Sequence, residues 1–267
     1  MTNKTEKQVP KYTIQKFAPK KNNTALVIPI INEGERILLQ LKRIISIKPK
    51  VDIIIADGGS NDGTLNKILE EKIQITTFLE KKDEGKLSAQ LRMAFDYCIN
   101  EEYEYVITMD GNNKDGENGI ALIQEALLSG FDFVQGSRFI NGGEAINTPL
   151  SRLLAIRLIH APVTSIGARF WFTDTTNGFR GHSVKLLRSP EVGIFRDIFD
   201  TYELIAYIPI RANRLDFKVT EIPVKRMYPN EGVIPTKIHG LRANLGVLTI
   251  LLAASFGRYS PLKVKRK

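Results

Sequence analysis

Tyr105-Val-Ile-Thr-Met-Asp-Gly-Asn-Asn-Lys-Asp115 is the stretch that decides the fold. Tyr105 to Met109 is a short run of strand formers, and it breaks off at Asp110. Gly111 and the paired amides Asn112 and Asn113 follow, and residues 117–128 then read as a helix. In open α/β sheets ligands bind beyond the carboxyl ends of the strands. A carboxylate there, two residues from the amide oxygen of Asn112, suits a hard divalent cation that also holds phosphates. The same residues also make an ordinary strand-to-helix turn, because Asp, Gly and Asn are common turn residues.

Toward the amino terminus the pattern repeats. Residues 24–28 read as a buried strand closed by Pro29, and Asn32 is the expected N-cap of a helix. In that helix Ile37, Leu38, Leu41, Ile44 and Ile45 recur at helical spacing. Residues 51–56 form a second strand with Asp57 at its carboxyl end, placed to accept hydrogen bonds from a base or a ribose. The glycine-rich turn after Asp57 lacks the Gly-Lys-Ser/Thr ending of a P-loop. Residues 73–78 read as a third strand and residues 87–98 as the helix that leads to Tyr105. A fifth strand, residues 131–135, ends in Gly136-Ser-Arg138, where Arg138 is expected to present its guanidinium at the same rim. Strands alternating with helices at this spacing predict an α/β fold, a doubly wound and mostly parallel central sheet flanked by helices.

After residue 140 the pattern changes. Residues 150–166 are amphipathic, with Arg152, Arg157 and His160 among aliphatics, and suit a membrane interface or packing on the sheet. Residues 174–180 read as a polar turn, 201–213 as a helix containing Glu203, and 217–222 as a strand ended by Pro223. Residues 226–237 form a long proline-pinned loop carrying Arg226 and Lys237, and loops of that length are usually functional or disordered. An apolar, amphipathic helix at 241–256 runs into a basic tail. The expected organisation is a flexible basic segment at 1–23, one domain at 24–240, and the helix and tail at 241–267.

Charge is concentrated at the ends. The chain of 267 residues carries +9, yet residues 1–21 and 257–267 hold +5 each, which leaves −1 for the 235 residues between. Basic ends suit an anionic surface, whereas a nucleic-acid-binding module would want basic residues across the body; nucleic acid is therefore not an expected partner. The one cysteine, Cys98, cannot form an internal disulfide and fits a reducing compartment. No apolar segment follows Met1, so a secretory signal is not expected. The apolar run at 246–256 is shorter than the roughly 20 residues a spanning helix needs.

Five motifs now stand in order: Pro29-Ile-Ile-Asn-Glu33, Ile55-Ala-Asp-Gly-Gly-Ser-Asn-Asp-Gly-Thr64, Met109-Asp-Gly-Asn112, Gly136-Ser-Arg138 and Thr175-Thr-Asn-Gly-Phe-Arg180. Together they resemble glycosyltransferase family two, with its GT-A fold, and within it the dolichol-phosphate mannose synthase-like, polyprenyl-phosphate glycosyltransferase group. The resemblance covers roughly residues 24–240. It implies that Pro29, Ile31 and Glu33 form the first nucleotide-contacting turn and that Asp57 holds the nucleotide. It places Asp110 and Asn112, with Gly111 between them, on the family's Asp-X-Asp metal motif, which takes Mg²⁺ or Mn²⁺. Arg138, Arg226 and Lys237 would meet the donor's phosphates. Three departures stand out: Asn112 replaces the second acid, Lys114 stands where a Gln-type ligand is usual, and the Arg226 to Lys237 spacing is long.

The resemblance implies an inverting hexosyltransferase that moves a sugar from a nucleotide-diphosphate sugar to a membrane-linked acceptor, a polyprenyl phosphate above all. Catalysis would rest on Asp110 and Arg138, with Glu203, or Asp200, serving as base only if the acceptor is a hydroxyl. The alternatives are transfer to a sugar hydroxyl of a growing lipid-linked or cell-surface glycan, and a sugar nucleotidyltransferase; the latter lacks its Gly-X-Gly-Thr-Arg entry loop here. The basic ends and the terminal helix point to a peripheral protein on the cytoplasmic face of a membrane, at an anionic surface, beside a small membrane partner or a second copy of the chain.

Overall fold

Buried apolar runs become the middle of the sheet. In a computed structural model that describes residues 7–229 and 240–261, the first half of the chain forms β1 (Tyr12–Lys16), β2 (Thr24–Ile30), α1 (Glu35–Ser46), β3 (Asp52–Asp57), α2 (Thr64–Glu70), β4 (Thr77–Lys81), α3 (Leu87–Asn100) and β5 (Tyr105–Thr108). The next part forms α4 (Gly119–Leu128), β6 (Phe133–Ser137), β7 (Glu144–Ile146), α5 (Leu150–Ala155), a π-helical turn (Ile156–His160) and α6 (Ala161–Ala168). Then come β8 (Arg180–Ser183), α7 (Val184–Arg188), α8 (Glu203–Arg214), β9 (Val219–Pro223), β10 (Lys225–Met227) and α9 (Gly240–Ser255).

Eight strands form one sheet in the order β1-β4-β3-β2-β5-β8-β6-β9, and β10 pairs with β7 in a small parallel ribbon. β2, β3, β4 and β5 pair in parallel, as do β6 and β9, while β1 and β8 run against their neighbours. The carboxyl ends of β2, β3, β5 and β6 therefore open on one rim. Strands buried on both faces read as continuous apolar runs, which is why β2 and β3 were legible. One face is covered by α1 and α4, with Leu26, Ile28, Ile37, Leu41 and Ile123 fully buried between sheet and helices. The other is covered by α3 and α8, around Phe95, Phe133, Leu204 and Tyr207. Each such side chain contributes about 1.5–3 kcal/mol by leaving water, so both faces of the sheet lock the rim in place.

Several expectations need correction. Within the segment expected to be a flexible lead-in, Tyr12–Lys16 pairs antiparallel with β4, Tyr12 opposite Lys81 and Lys16 opposite Thr77. The strand was hidden because its side chains are almost all solvent-facing, so it has no apolar alternation. Asn32 is not the N-cap of α1; Gly34 is, with φ 53°, and Asn32 itself lies at φ 51° in the turn before it. β4 starts four residues later than expected, because Ile73 and Ile75 pack into the core from the connection that precedes it. The turn expected at 174–180 ends in a buried antiparallel strand, β8, whose Arg-Gly-His-Ser sequence has no strand-like apolarity. The amphipathic segment at 150–166 forms α5 and α6 with the π turn between them.

Candidate functional site

Two turns at the rim are buttoned to each other. Asn32 N–H donates to Ser60 Oγ at 2.9 Å, Asn32 Oδ1 accepts from Asn61 N–H at 2.9 Å, and Gly34 N–H donates to Asp62 Oδ2 at 2.9 Å. Asp57, expected to reach for a base or ribose, directs its carboxylate into its own turn: Oδ2 accepts from Gly59 N–H at 3.0 Å and Ser60 N–H at 2.8 Å, and Oδ1 accepts from Ser60 Oγ. Gly59 has φ 98°, a conformation that strongly favours glycine. Below this turn Gln90 of α3 donates to the carbonyls of Ile30 and Ala56, tying the ends of β2 and β3 together. Pro29 lies at the end of β2, Ile31 is exposed, and Glu33 is buried against Arg36 at 3.0 Å.

Asp110 sits at the centre. Gln40, fully buried on α1, donates from Nε2 to the Asp110 carbonyl at 2.9 Å and accepts the Asn113 N–H at 2.7 Å, so one side chain grips both ends of the turn. A Cβ at Gly111 would lie 2.6 Å from Ile30 Cγ2, and one at Gly178 would collide with Asp110 Oδ1. Arg226 reaches in from β10: Nη2 donates to Asp110 Oδ2 at 2.9 Å, and Nη1 donates to both oxygens of Asp115 at 2.7 Å. Burial alone would strip the Arg226 charge, but Asp115 and Asp110 beside it more than compensate, and its pKa goes up. Lys114 is buried with its ammonium 4.8 Å from the Tyr228 ring centroid. Burial and then the neighbouring Arg226 lower its pKa to about 8. The Tyr228 hydroxyl accepts from Arg152 Nη1 at 3.0 Å, linking this cluster to α5.

Arg138, expected to present its charge at the rim, is instead buried. Nε and Nη2 grip Asp174 at 2.6 and 2.8 Å, and Nη2 also donates to Thr176 Oγ1 at 3.0 Å. Asp174 lies 36 residues away, in a turn whose Thr173 and Asp174 N–H groups bind Glu221 of β9. Arg180 is likewise inward, donating to the carbonyls of Asn177, Ile205 and Thr175. Glu203 accepts from Thr201 N–H and Oγ1, both at 2.6 Å, at the start of α8. Asp200 is exposed beside Gly85. Lys237 lies outside the described residues. The structure thus gathers Pro29, Asp57, Asp110, Gly111, Asn112, Arg138 and Arg226 at one rim, with Arg138 and Arg226 already paired.

The rim also carries unfilled hydrogen-bonding capacity. Asn112 Oδ1, Asn113 Oδ1 and Asn177 Nδ2 are buried without a hydrogen-bond partner, and Asn177 Oδ1 accepts from Arg226 at 3.3 Å. Buried polar atoms are normally satisfied, so a concentration of unpaired ones beside Asp110 marks a place for a polar ligand. For a divalent cation the protein offers two oxygens, a partly exposed Asp110 carboxylate and the unpaired Asn112 amide oxygen. Among the described residues no three His, Cys, Asp or Glu side chains converge as a cage, and Asp115 is fully committed to Arg226. That set fits a hard cation such as Mg²⁺, which takes one or two carboxylates and completes its shell with substrate phosphates and water. A larger depression, about 590 Å³, lies by the opposite end of β5, lined by Glu102, Tyr105, Asp132, Lys185 and Arg188. There Asp132 is held by Ser183 and Lys185, away from the rim chemistry.

Gln40, Asp174, Asn177 and Tyr228 are the site residues that sequence reasoning missed. Gln40 had a signal, a polar residue at a buried helical position next to Leu41, and Asp174 and Asn177 lie in the polar turn and the Thr175–Arg180 motif, where no role was assigned to them. The comparisons with known proteins agree with the motifs. A sequence model described as Glycosyl transferase family 2 matches residues 25–201. Polyprenol monophosphomannose synthase of Mycolicibacterium smegmatis is 23% identical over 75% of this chain and 76% of that protein. Undecaprenyl-phosphate mannosyltransferase of Micrococcus luteus is 24% identical over 74% of this chain and 81% of that protein. Among solved structures, glucosyl-3-phosphoglycerate synthase from Mycobacterium tuberculosis bound to UDP superposes with a TM-score of 0.62 at 15% identity, over 90% of this chain and 81% of that one. The same enzyme with Mn²⁺, UDP and phosphoglyceric acid gives 0.61. These structures share the fold.

Proposed function

The chain belongs to glycosyl transferase family 2, and from that premise we propose that it moves a hexosyl group from a nucleotide-diphosphate sugar to a polyprenyl phosphate, inverting the anomeric carbon. The observation that carries the reading is the set of unpaired buried polar atoms around Asp110, beside the guanidinium of Arg226. The names of two relatives, which pair a mannosyl group with polyprenol or undecaprenyl phosphate, support the acceptor class.

In this reading the nucleotide lies along the buttoned turns, with Pro29, Ile31 and Glu33 on one side and the Asp57 turn on the other. The diphosphate comes to the turn at Gly111, which sits this close to the end of β2 because it has no side chain to meet Ile30. An oxygen of the acceptor phosphate attacks the anomeric carbon from the face opposite the donor's diphosphate. The bond between that carbon and the diphosphate oxygen breaks, and its electron pair leaves with the nucleoside diphosphate. Since the acceptor arrives ionised, no proton has to move. Positive charge is needed where the leaving group gains negative charge. Arg226, Lys114 and, beyond the described residues, Lys237 supply it. A divalent cation on Asp110 and Asn112 would add a Lewis acid at the departing phosphates. Arg138 acts by holding Asp174 and Thr176, in the turn whose Gly178 lies against Asp110.

The rival acceptor, a sugar hydroxyl, needs a base. Glu203 already accepts two hydrogen bonds from Thr201, an arrangement that suits a helix start rather than a proton carrier. No helix among the described residues is long and apolar enough to cross a membrane, and the reading places the enzyme peripherally on the cytoplasmic face. The test combines two measurements. Nucleoside diphosphates and their sugars, each with and without Mg²⁺ or Mn²⁺, are screened for a rise in melting temperature; the stabilising donor is then offered with a polyprenyl phosphate. Release of nucleoside diphosphate coupled to a glycosylated lipid phosphate is expected, and it persists in Glu203→Gln and Asp200→Ala. Release of pyrophosphate, or turnover abolished by Glu203→Gln alone, contradicts the proposal.

A further inference from the structure

An apolar edge without cover runs along α5, the π turn and α6. Leu150, Leu154, Leu158 and Ile166 fall on a four-residue repeat with Pro162 between, and α5 has no buried residue at all. Leu158 is 69% and Ile166 79% exposed. A strict four-residue repeat drifts around an α-helix of about 3.6 residues per turn; the wider π turn, with i→i+5 bonding, takes up part of that drift and keeps the leucines on one side. Two more exposed rings join this edge. Phe172 N–H donates to Ser165 Oγ, which holds exposed Trp171 at the carboxyl end of α6. Gly167 packs against Ser255, which brings exposed Phe256 to the same end.

The segments that form this edge carry charge of one sign. Residues 150–173 contain Arg152, Arg157 and Arg169 and no acid, and residues 240–261 contain Arg242 and Arg258 and no acid, in a chain that holds 29 Asp and Glu. The inner side of the helix faces the site. Arg152 binds the Tyr228 hydroxyl, whose ring carries Lys114, and Arg157 shares the Phe139 ring with Arg138 at 5.3 and 5.1 Å. A second copy of this chain would cover the leucines but would bring Arg152, Arg157 and Arg169 of one copy toward those of the other, and like charges repel. An anionic bilayer satisfies both halves of the pattern: apolar side chains enter the headgroup–acyl boundary while basic ones stay among the phosphates.

We propose that α5, the π turn and α6, with Trp171 and Phe256, form the face by which this protein docks on an anionic lipid bilayer, presenting its Arg152 side to lipid-borne phosphate. The proposal deepens the acceptor reading above and rests on it only for what the docking serves. Trp171 is the one tryptophan, so the intact protein reports on its own docking. With vesicles containing phosphatidylglycerol at low salt, Trp171 emission is expected to shift to the blue and to be quenched by brominated acyl chains. The double variant Leu158→Glu/Ile166→Glu, at exposed positions outside the site, is expected to weaken vesicle binding at least tenfold without lowering the melting temperature. Its turnover on a short, water-soluble polyprenyl phosphate is expected to stay within twofold of the parent. Vesicle binding with unchanged Trp171 emission, equal binding by the double variant, or an emission change that follows protein concentration without lipid would each overturn the proposal. Docking without transfer to any polyprenyl phosphate would overturn the acceptor reading and leave this surface standing.

Discussion

Asp115 has both carboxylate oxygens on Arg226, and Arg226 in turn touches Asp110, so the charge at the site is set by a chain of three groups and not by Asp110 alone. Removing one member of a buried ion pair leaves the other uncompensated, at a cost of about 3–5 kcal/mol. Asp115→Ala is therefore expected to lose stability of that order in urea unfolding. Asp110→Asn keeps the hydrogen-bond acceptor and leaves Asp115 in place; it is expected to melt near the parent while turnover, read as nucleoside diphosphate release, falls by about 10²–10³. Asp57 and Asp110 were legible because each ends an apolar run. The Arg226–Asp115 and Arg138–Asp174 pairs were not, since 111 and 36 residues separate the partners and no local pattern announces which charges will meet.

Helix α1 does more than cover the sheet, because Gln40 fixes the turn that carries Asp110. Gln40→Leu fills the same space but leaves the part-buried Asn113 N–H without its acceptor. A loss of about 1–3 kcal/mol is expected from that unmade bond, together with a fall in turnover that Gln40→Glu does not reproduce by the same route. Strand β8 has a different sensitivity. His182 is enclosed between Phe95 and Phe133, at 5.2 and 5.4 Å between ring centroids, and burial, helped by nearby Arg180, lowers its pKa from 6.5 to about 3. The unfolded chain takes up this proton first as the pH falls, so stability is lost progressively from about pH 6.5 downward, by on the order of a few kcal/mol. His182→Phe is expected to flatten that decline between pH 7 and 4.5 in denaturant titrations. The strands that carry the parallel sheet could be read because they are apolar and alternate with amphipathic helices. β8 and β1 could not: one buries polar residues that are satisfied only by tertiary contacts, and the other exposes nearly all of its side chains.

Across the whole molecule, the order of elements predicted a doubly wound sheet, and the sheet is one, mostly parallel and opening its strand ends on a shared rim. What the order could not give was how the sheet finishes. Its two margins are closed by strands from opposite ends of the chain, β1 on β4 and β9 on β6, and β1 is held down further by Gln8, whose carbonyl and side chain engage Arg92 and Asp197.

The region matched by the family, residues 25–201, is consequently smaller than the unit that folds. A fragment trimmed to those limits would bare hydrogen-bonding groups along β4 and β6 at once, and bare strand margins recruit other chains. Such a fragment is expected to precipitate or to elute as high-mass aggregates in size-exclusion chromatography, while one spanning residues 7–261 stays monodisperse. For anyone engineering this protein, the sheet's own margins, and not the reach of a sequence match, say where it is safe to cut.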